Sequence, residues 1–387
     1  MSLVKLNDIS NKITKGTTPH KEAFQGTEIN YIKSESLNYN GYIDASSFNS
    51  IDVKTHNTRL KRSILKEEDI LVSIAGANLG KIGIVSKEML PANTNQAVGI
   101  ISINSNLARS RYVYYYLQQV RIRNFINNSV AQSAQPNLNL AQLGNIKIEL
   151  PKLNKQDRII RVLDIISNTI ELNVHTNNNL QELLLYKYNS YFQEKNANGK
   201  LKDIVLKTNR TIKKDKINKS LKYYPIDVLP KNNIILQDGK SIEEAQSSLI
   251  EFNKNEILVG AMRVYFHRVC LTNNSGITRN TTFVLKPKDE DYLYYSLLTL
   301  YQDSFIDYAS ITSKGTTMPY AVWENVCSEF DIYIPTKDEL EEFNIVCKAI
   351  INKMNINQAE NQKLEQIRDT LLPKLMNGEI NLDKIEI

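Results

Sequence analysis

The chain has 387 residues, is 42% hydrophobic and 23% charged, and carries a net charge of +6. That length suits two or three domains with buried cores; no apolar run nears the roughly 18 residues of a membrane span, and MSLVKLNDIS lacks a secretion signal's apolar stretch, so a cytoplasmic protein is expected. The basic balance, with a pI near 8.9, favours a polyanionic partner only weakly.

In chain order, residues 1–150 mix β-rich runs such as DILVSI (Asp69 to Ile74) with a Tyr-rich helical run, YVYYYLQQVRIRNFIN (Tyr112 to Asn127). Such a mixture predicts an α+β part. After Pro151 comes a long helical pattern without proline between about residues 156 and 191. EKNANGK (Glu194 to Lys200) has Asn and Gly breakers and reads as a join. Residues 196–335 form a second α+β part, and a second long helical pattern runs from about 338 to 372.

The second half repeats the first. KEEDILVSIAGANLGKIGIV (Lys66 to Val85) aligns without gaps on NKNEILVGAMRVYFHRVCLT (Asn253 to Thr272), so that Lys81 meets Arg268. The Tyr-rich run aligns on YLYYSLLTLYQDSFID (Tyr292 to Asp307). KIELP, ending at Pro151, answers DIYIP, ending at Pro335, and NNNLQELLLYKY (from Asn177) answers NQKLEQIRDTLL (from Asn361). Four matches in one order make the chain two diverged copies of one unit.

Each long helix carries a seam at alternating three- and four-residue steps. The first has Ile159, Val162, Ile166, Ile170, Asn173, Asn177, Leu180 and Leu184; the second has Phe343, Val346, Ile350, Met354, Asn357, Asn361, Leu364 and Leu371. Such a stripe needs cover, and the other copy's helix is the cheapest partner. A pseudo-two-fold then predicts an antiparallel coiled coil, roughly 50 Å long at 1.5 Å per residue, separating two related globular heads. Buried asparagines in mid-seam would fix its register; a solvated midsection is the competing reading of so polar a stretch.

No catalytic constellation stands out. There is no phosphate loop, no H-E-x-x-H and no methyltransferase-type Asn or Asp before two prolines and an aromatic. AGANLGKIG (Ala75 to Gly83) lacks the dinucleotide spacing and reads as a tight β-turn. Cys270, Cys327 and Cys347 are scattered, and His20, His56, His175 and His267 show no metal-ligand spacing. A basic, duplicated, non-enzymatic chain points to bipartite binding of duplex DNA, whose half-sites lie about one helical turn apart.

Candidate contacts are polar or basic residues in predicted turns. The first head offers Lys15, Thr17, Thr18, Lys33, Asn78, Lys81, Asn95, Gln96, Ser133 and Gln135. The second offers Arg263, Tyr265, Arg268, Arg279, Asn280, Lys314, Thr316, Thr317 and Tyr320. Arg and Lys suit guanine edges or phosphates, and Asn and Gln suit adenine. Singly, each also suits an ordinary solvated surface, so the loops carry the expectation. The aligned Lys81 and Arg268 stand out because charge persists where neighbours change. Tyr112, Tyr114 and Tyr115 offer stacking faces, but their helical spacing sets them against the sheet.

KGTTPHK (Lys15 to Lys21), INYIKSESLNYNGYI (Ile29 to Ile43), SIAGANLGKIGIV (Ser73 to Val85) and LLPKLMNGEI (Leu371 to Ile380) closely resemble the specificity subunit of type I restriction-modification systems. The resemblance covers nearly the whole chain. It implies target recognition domains at 1–150 and 196–335, each reading half of a split, asymmetric DNA site. It implies spacer helices at 151–195 and 336–387, the latter with a C-terminal tail. It further implies two modification subunits holding S-adenosylmethionine for adenine methylation, and restriction subunits, the motor-nuclease, using ATP with Mg; this chain itself would hold no cofactor. The alternative is a duplicated scaffold that joins two proteins and leaves DNA alone.

Overall fold

The computed structural model describes residues 2–39, 41–128, 137–246 and 248–380. The strands are β1 Ser2–Lys5, β2 Ser10–Lys15, β3 Ile29–Ile32, β4 Asn49–Ile51, β5 Ile70–Ser73, β6 Ile82–Ile84, β7 Ala92–Thr94, β8 Val98–Ile103 and β9 Lys147–Leu150, then β10 Gly199–Lys200, β11 Val205–Thr208, β12 Thr211–Ile212, β13 Lys222–Tyr223, β14 Leu249–Phe252, β15 Ile257–Gly260, β16 Val269–Leu271, β17 Gly276–Arg279, β18 Thr282–Pro287 and β19 Asp331–Ile332. The helices are α1 Val53–Asn57, α2 Ser110–Gln118, α3 Val120–Asn128, α4 Leu140–Gly144, α5 Leu153–Phe192, α6 Leu201–Ile204, α7 Leu293–Tyr301, α8 Asp303–Ile311 and α9 Lys337–Met376. The chain divides into two compact units, Met1–Glu171 with Gln362–Ile387, and Leu172–Asn361. Both unit boundaries fall inside the long helices α5 and α9.

In the first unit a four-stranded antiparallel sheet has the order β2-β8-β5-β6, beside a smaller sheet β4-β3-β7 whose β3 and β7 are parallel. The continuous apolar run Ile70-Leu71-Val72 is buried on both faces of its strand, as a strand covered on both sides requires. The Tyr-rich helix α2 covers one face. Tyr112, Tyr114 and Tyr115 are buried, and each hydroxyl donates a hydrogen bond: to the carbonyl of Glu149 (2.6 Å), the carbonyl of Gly41 (3.0 Å) and Asp164 Oδ1 (2.7 Å). These rings are core, not stacking faces. The start of α5 is tied to α2 by the ion pairs Arg109–Asp157 (2.8 Å) and Arg111–Asp164 (2.9 Å).

The second unit repeats this plan. Its sheet β11-β18-β15-β16 is again antiparallel, α7 and α8 follow as α2 and α3 do, and β10 pairs with β19 as β1 pairs with β9. The smaller sheet has diverged: its order is β12-β14-β17-β13, with β13 and β17 parallel.

Within each unit the long helices pack antiparallel. In the first, Ile159 and Leu163 near the start of α5 share a core with Leu372, Leu375 and Met376 at the end of α9. In the second, Leu184, Tyr188 and Phe192 at the end of α5 meet Leu340, Phe343, Cys347, Ile350 and Met354 of α9. Each helix has 40 residues, about 60 Å at 1.5 Å per residue, so both run slightly past the expected limits. Pro373 sits inside the last turn of α9. Leu163, Leu340, Cys347, Ile351, Leu372, Leu375 and Met376 are buried although the expected seam omitted them. A narrow three-four stripe describes two helices alone, whereas these also press against a head and need a wider apolar face.

The mid-seam asparagines do pair. In the second unit, Asn357 Nδ2 donates to Asn177 Oδ1 (2.8 Å), and Asn177 Nδ2 donates to the carbonyl of Met354 (3.1 Å). Asn173 Nδ2 donates to Asn361 Oδ1 (2.9 Å) and to Glu360 (2.9 Å). Asn177, Asn357 and Asn361 are all buried. One antiparallel register satisfies both pairs, since four residues forward on α5 match four back on α9.

Candidate nucleic-acid interface

Strand pairing gathers the candidate loops of the first unit at one rim. Lys15 lies opposite Gly99, Ser73 opposite Val98, Val72 opposite Ile82, and Ile32 beside Thr94. The segments that leave β2, β3, β5 and β7 therefore emerge together. Backbone bonds seal them: Gly16 N to Val98 O (3.0 Å), Thr17 N to Thr94 O (3.0 Å) and Leu138 N to Ile74 O (2.9 Å). A Cβ at Gly16 would sit 2.2 Å from the carbonyl oxygens of Thr94 and Asn95. Glycine is thus required in KGTTP to let the two loops touch.

On this rim Lys15, Thr18 and Gln96 are exposed, and Thr17, Lys33, Asn78, Lys81 and Asn95 are half-buried. Several are engaged internally. Arg62 Nε donates to Thr17 Oγ1 (3.1 Å), Lys33 pairs with Glu35 (3.8 Å), and Asn95 Oδ1 accepts from Ala97 N (3.1 Å). The Lys81 ammonium lies 5.7 Å from the centre of the Tyr39 ring, and burial pushes its pKa down. Ser133 and Gln135 lie outside the described residues. AGANLGKIG is the tight turn expected, joining β5 to β6 with Gly76 and Gly80 at φ +74° and +79°.

The second unit builds the same rim from different side chains. Gly260 lies opposite Thr282, and Ala261 N donates to Thr281 O (2.9 Å). Met262 bridges Tyr320, as Ala75 bridges Asn137 in the first unit. Tyr265, Asn280, Lys314, Thr316, Thr317 and Tyr320 are exposed, and Arg263, Arg268 and Arg279 are half-buried. Arg268 Nη1 donates to the carbonyls of Ile226 and, at 3.2 Å, Leu229, and its guanidinium lies over the Phe266 ring. The aligned Lys81 and Arg268 are thus each set against an aromatic ring of its own unit.

The sequence did not show that the turn residues would be strained. Gly76 and Gly80 align with Arg263 and His267, and both hold the left-handed conformation, at φ +50° and +52°. Among the described residues no group of three His, Cys, Asp or Glu is placed to hold a metal, and no helix is long and apolar enough to cross a membrane.

Comparison with known proteins agrees with this architecture. Residues 1–182 match the family model of the type I restriction modification DNA specificity domain. The chain is 21% identical over 438 residues to the specificity subunit of type I restriction enzyme MjaIX from Methanocaldococcus jannaschii, covering 98% of this chain and 94% of that one. It is 30% identical over 154 residues to the EcoBI specificity subunit of Escherichia coli, covering 38% of this chain and 32% of that one. The fold is that of the crystal structure of the S subunit from M. genitalium, with a TM-score of 0.54, 14% identity and coverage of 97% and 95%. Residues 1–182 thus match a DNA specificity domain, and the relatives matched here, one of them along nearly the whole chain, are specificity subunits of type I restriction enzymes. The reading as a scaffold indifferent to DNA is not supported.

Proposed function

We propose that each rim reads one half of a bipartite, asymmetric target in double-stranded DNA, and that α5 and α9 set the spacing between the halves. The observation that carries this is the doubled rim: the same strand ends present the same loops twice, with different side chains. A duplicated frame with diverged contacts suits two half-sites of unlike sequence. On this reading residues 1–150 and 196–335 are the target recognition domains and 151–195 and 336–387 the spacer regions.

The catalytic chemistry belongs to partners. Two modification subunits would hold S-adenosylmethionine and methylate adenine, and restriction subunits would use ATP with Mg, all in the cytoplasm. Exposed apolar residues on the long helices favour docking there. Ile345 and Ile356, 66% and 61% exposed, lie three turns apart on α9 in the second unit, and Ile165 and Ile367 are exposed in the first. Exposed apolar residues repeated along a helix face suit a partner surface.

The test is fluorescence anisotropy of labelled duplexes with the chain, alone and with modification subunits. Binding that weakens steeply with salt is expected, because phosphate contacts release counterions. Absence of salt-sensitive binding in both arms would refute the reading.

A further inference from the structure

The turn that joins β15 to β16 carries three basic residues, Arg263, His267 and Arg268. Two of them are occupied inside the unit. His267 Nε2 bonds the carbonyl of Tyr301 (2.8 Å), its ring packs on the Tyr301 ring, and its Nδ1 lies 3.5 Å from Asp303. Arg268 holds the carbonyls of Ile226 and Leu229. These two tie the turn to its surroundings. Arg263 is different. Among the described residues its guanidinium has no hydrogen-bond or ion-pair partner, and its Nε is buried and unbonded. The two terminal nitrogens, equally unpartnered, are not buried.

The backbone makes this more pointed. Arg263 takes a left-handed conformation at the position where the first unit has Gly76, also left-handed. Glycine is the natural occupant there. A Cβ on Gly76 would meet nothing within 4 Å, so in the first unit this corner has room for a side chain. In the second unit Arg263 is half-buried, yet among the described residues no hydrogen bond or ion pair accounts for its guanidinium. A strained, conserved-in-shape turn that holds an unpartnered side chain at a binding rim is the form in which strain is stored for function.

We propose that Arg263 reads a guanine in the half-site bound by the second unit, through its two terminal nitrogens and the O6 and N7 acceptors of the base edge. The proposal rests on the rims being DNA-reading surfaces. Burial of Nε leaves the two-nitrogen end of the fork outward, which matches the paired acceptors of guanine in the major groove. A phosphate contact alone needs only a flexible cation, and Lys314 and the exposed loop around it already supply one.

The experiment uses the complex. Wild type and Arg263→Gly are co-expressed with modification subunits in a host lacking other adenine methylation, and methylated adenines are sequenced. Arg263→Gly restores the residue that the turn's shape favours, so thermal stability should hold or rise. A wild-type motif with a fixed guanine in one half-site is expected, with that one position becoming degenerate in the variant. The other half-site and the spacer should not change. Affinity for the wild-type target should fall roughly 5- to 150-fold, the range of one bidentate base contact. An unchanged motif overturns the proposal. So does weakening that is uniform across sequences with a salt slope reduced by about one, which marks a phosphate contact. If wild type neither methylates a motif nor binds duplexes, the DNA reading of the rims fails as well, and the two failures are told apart by that control.

Discussion

Arg268 and Lys81 occupy equivalent places, yet the structure gives them unequal tasks. Arg268 bonds two carbonyls and covers an aromatic ring, whereas Lys81 lies against the Tyr39 ring and feels the charge of Glu35. Arg268→Met keeps the stem over Phe266 but strands the carbonyls of Ile226 and Leu229, at a cost of about 1–3 kcal/mol. Lys81→Met strands no carbonyl and should cost less than about 1 kcal/mol. Urea unfolding of the two variants checks the difference; equal losses would contradict it. The sequence announced that charge persists at this position but not its purpose. A side chain reaching inward to a carbonyl and one reaching outward to a base are the same letter. The strain at Arg263 was illegible for a similar reason: alignment pairs it with glycine, but only backbone angles show that arginine keeps glycine's conformation.

Among elements, the long helices were the most legible. Their existence and their antiparallel packing within each unit follow from seam spacing and duplication; that spacing left the mid-seam asparagines either buried or solvated, and the structure pairs Asn177 with Asn357. Their extra buried residues did not, because the sequence of a helix does not state that a head also leans on it. The asparagine pairs cost stability and specify register. Asn357→Leu alone leaves the Asn177 carbonyl oxygen without its donor in a buried seam, and should destabilise by about 1–3 kcal/mol. Asn177→Leu with Asn357→Leu should recover that loss, since an apolar pair suits the seam. The double variant should also broaden the spacer length of the methylated motif, because an all-apolar seam tolerates more than one register. A double variant less stable than the single one, or with a single sharp spacer, would argue against a register role. The small sheets were the least legible elements. Their strands are two to four residues long, too short for periodicity to mark.

For the whole molecule, the duplication was readable because ungapped matches recur in the same order, and it predicts separable readers. Replacing residues 1–150 with the matching head of one of the specificity subunits it resembles should change one half of the methylated motif and leave the other half intact. Sequencing of methylated adenines decides it; a change in both halves would end the modular reading. The units themselves are less separable than the repeats. Each is closed by pieces of both copies, since the first core includes Leu372, Leu375 and Met376 from the end of α9.

That closure has a consequence for synthesis. The first unit is built from segments made before and after the whole of the second, Leu172–Asn361. At roughly 5–20 residues per second, its head and the opening turns of α5 wait on the order of 10–40 s for the turn that covers Ile159 and Leu163. During that interval an apolar stripe stands open at the ribosome surface, while the second unit can assemble before the first is sealed. The first unit's core is thus closed only once α9 has been made, so a nascent chain cut short within α9 loses part of the first unit's core as well.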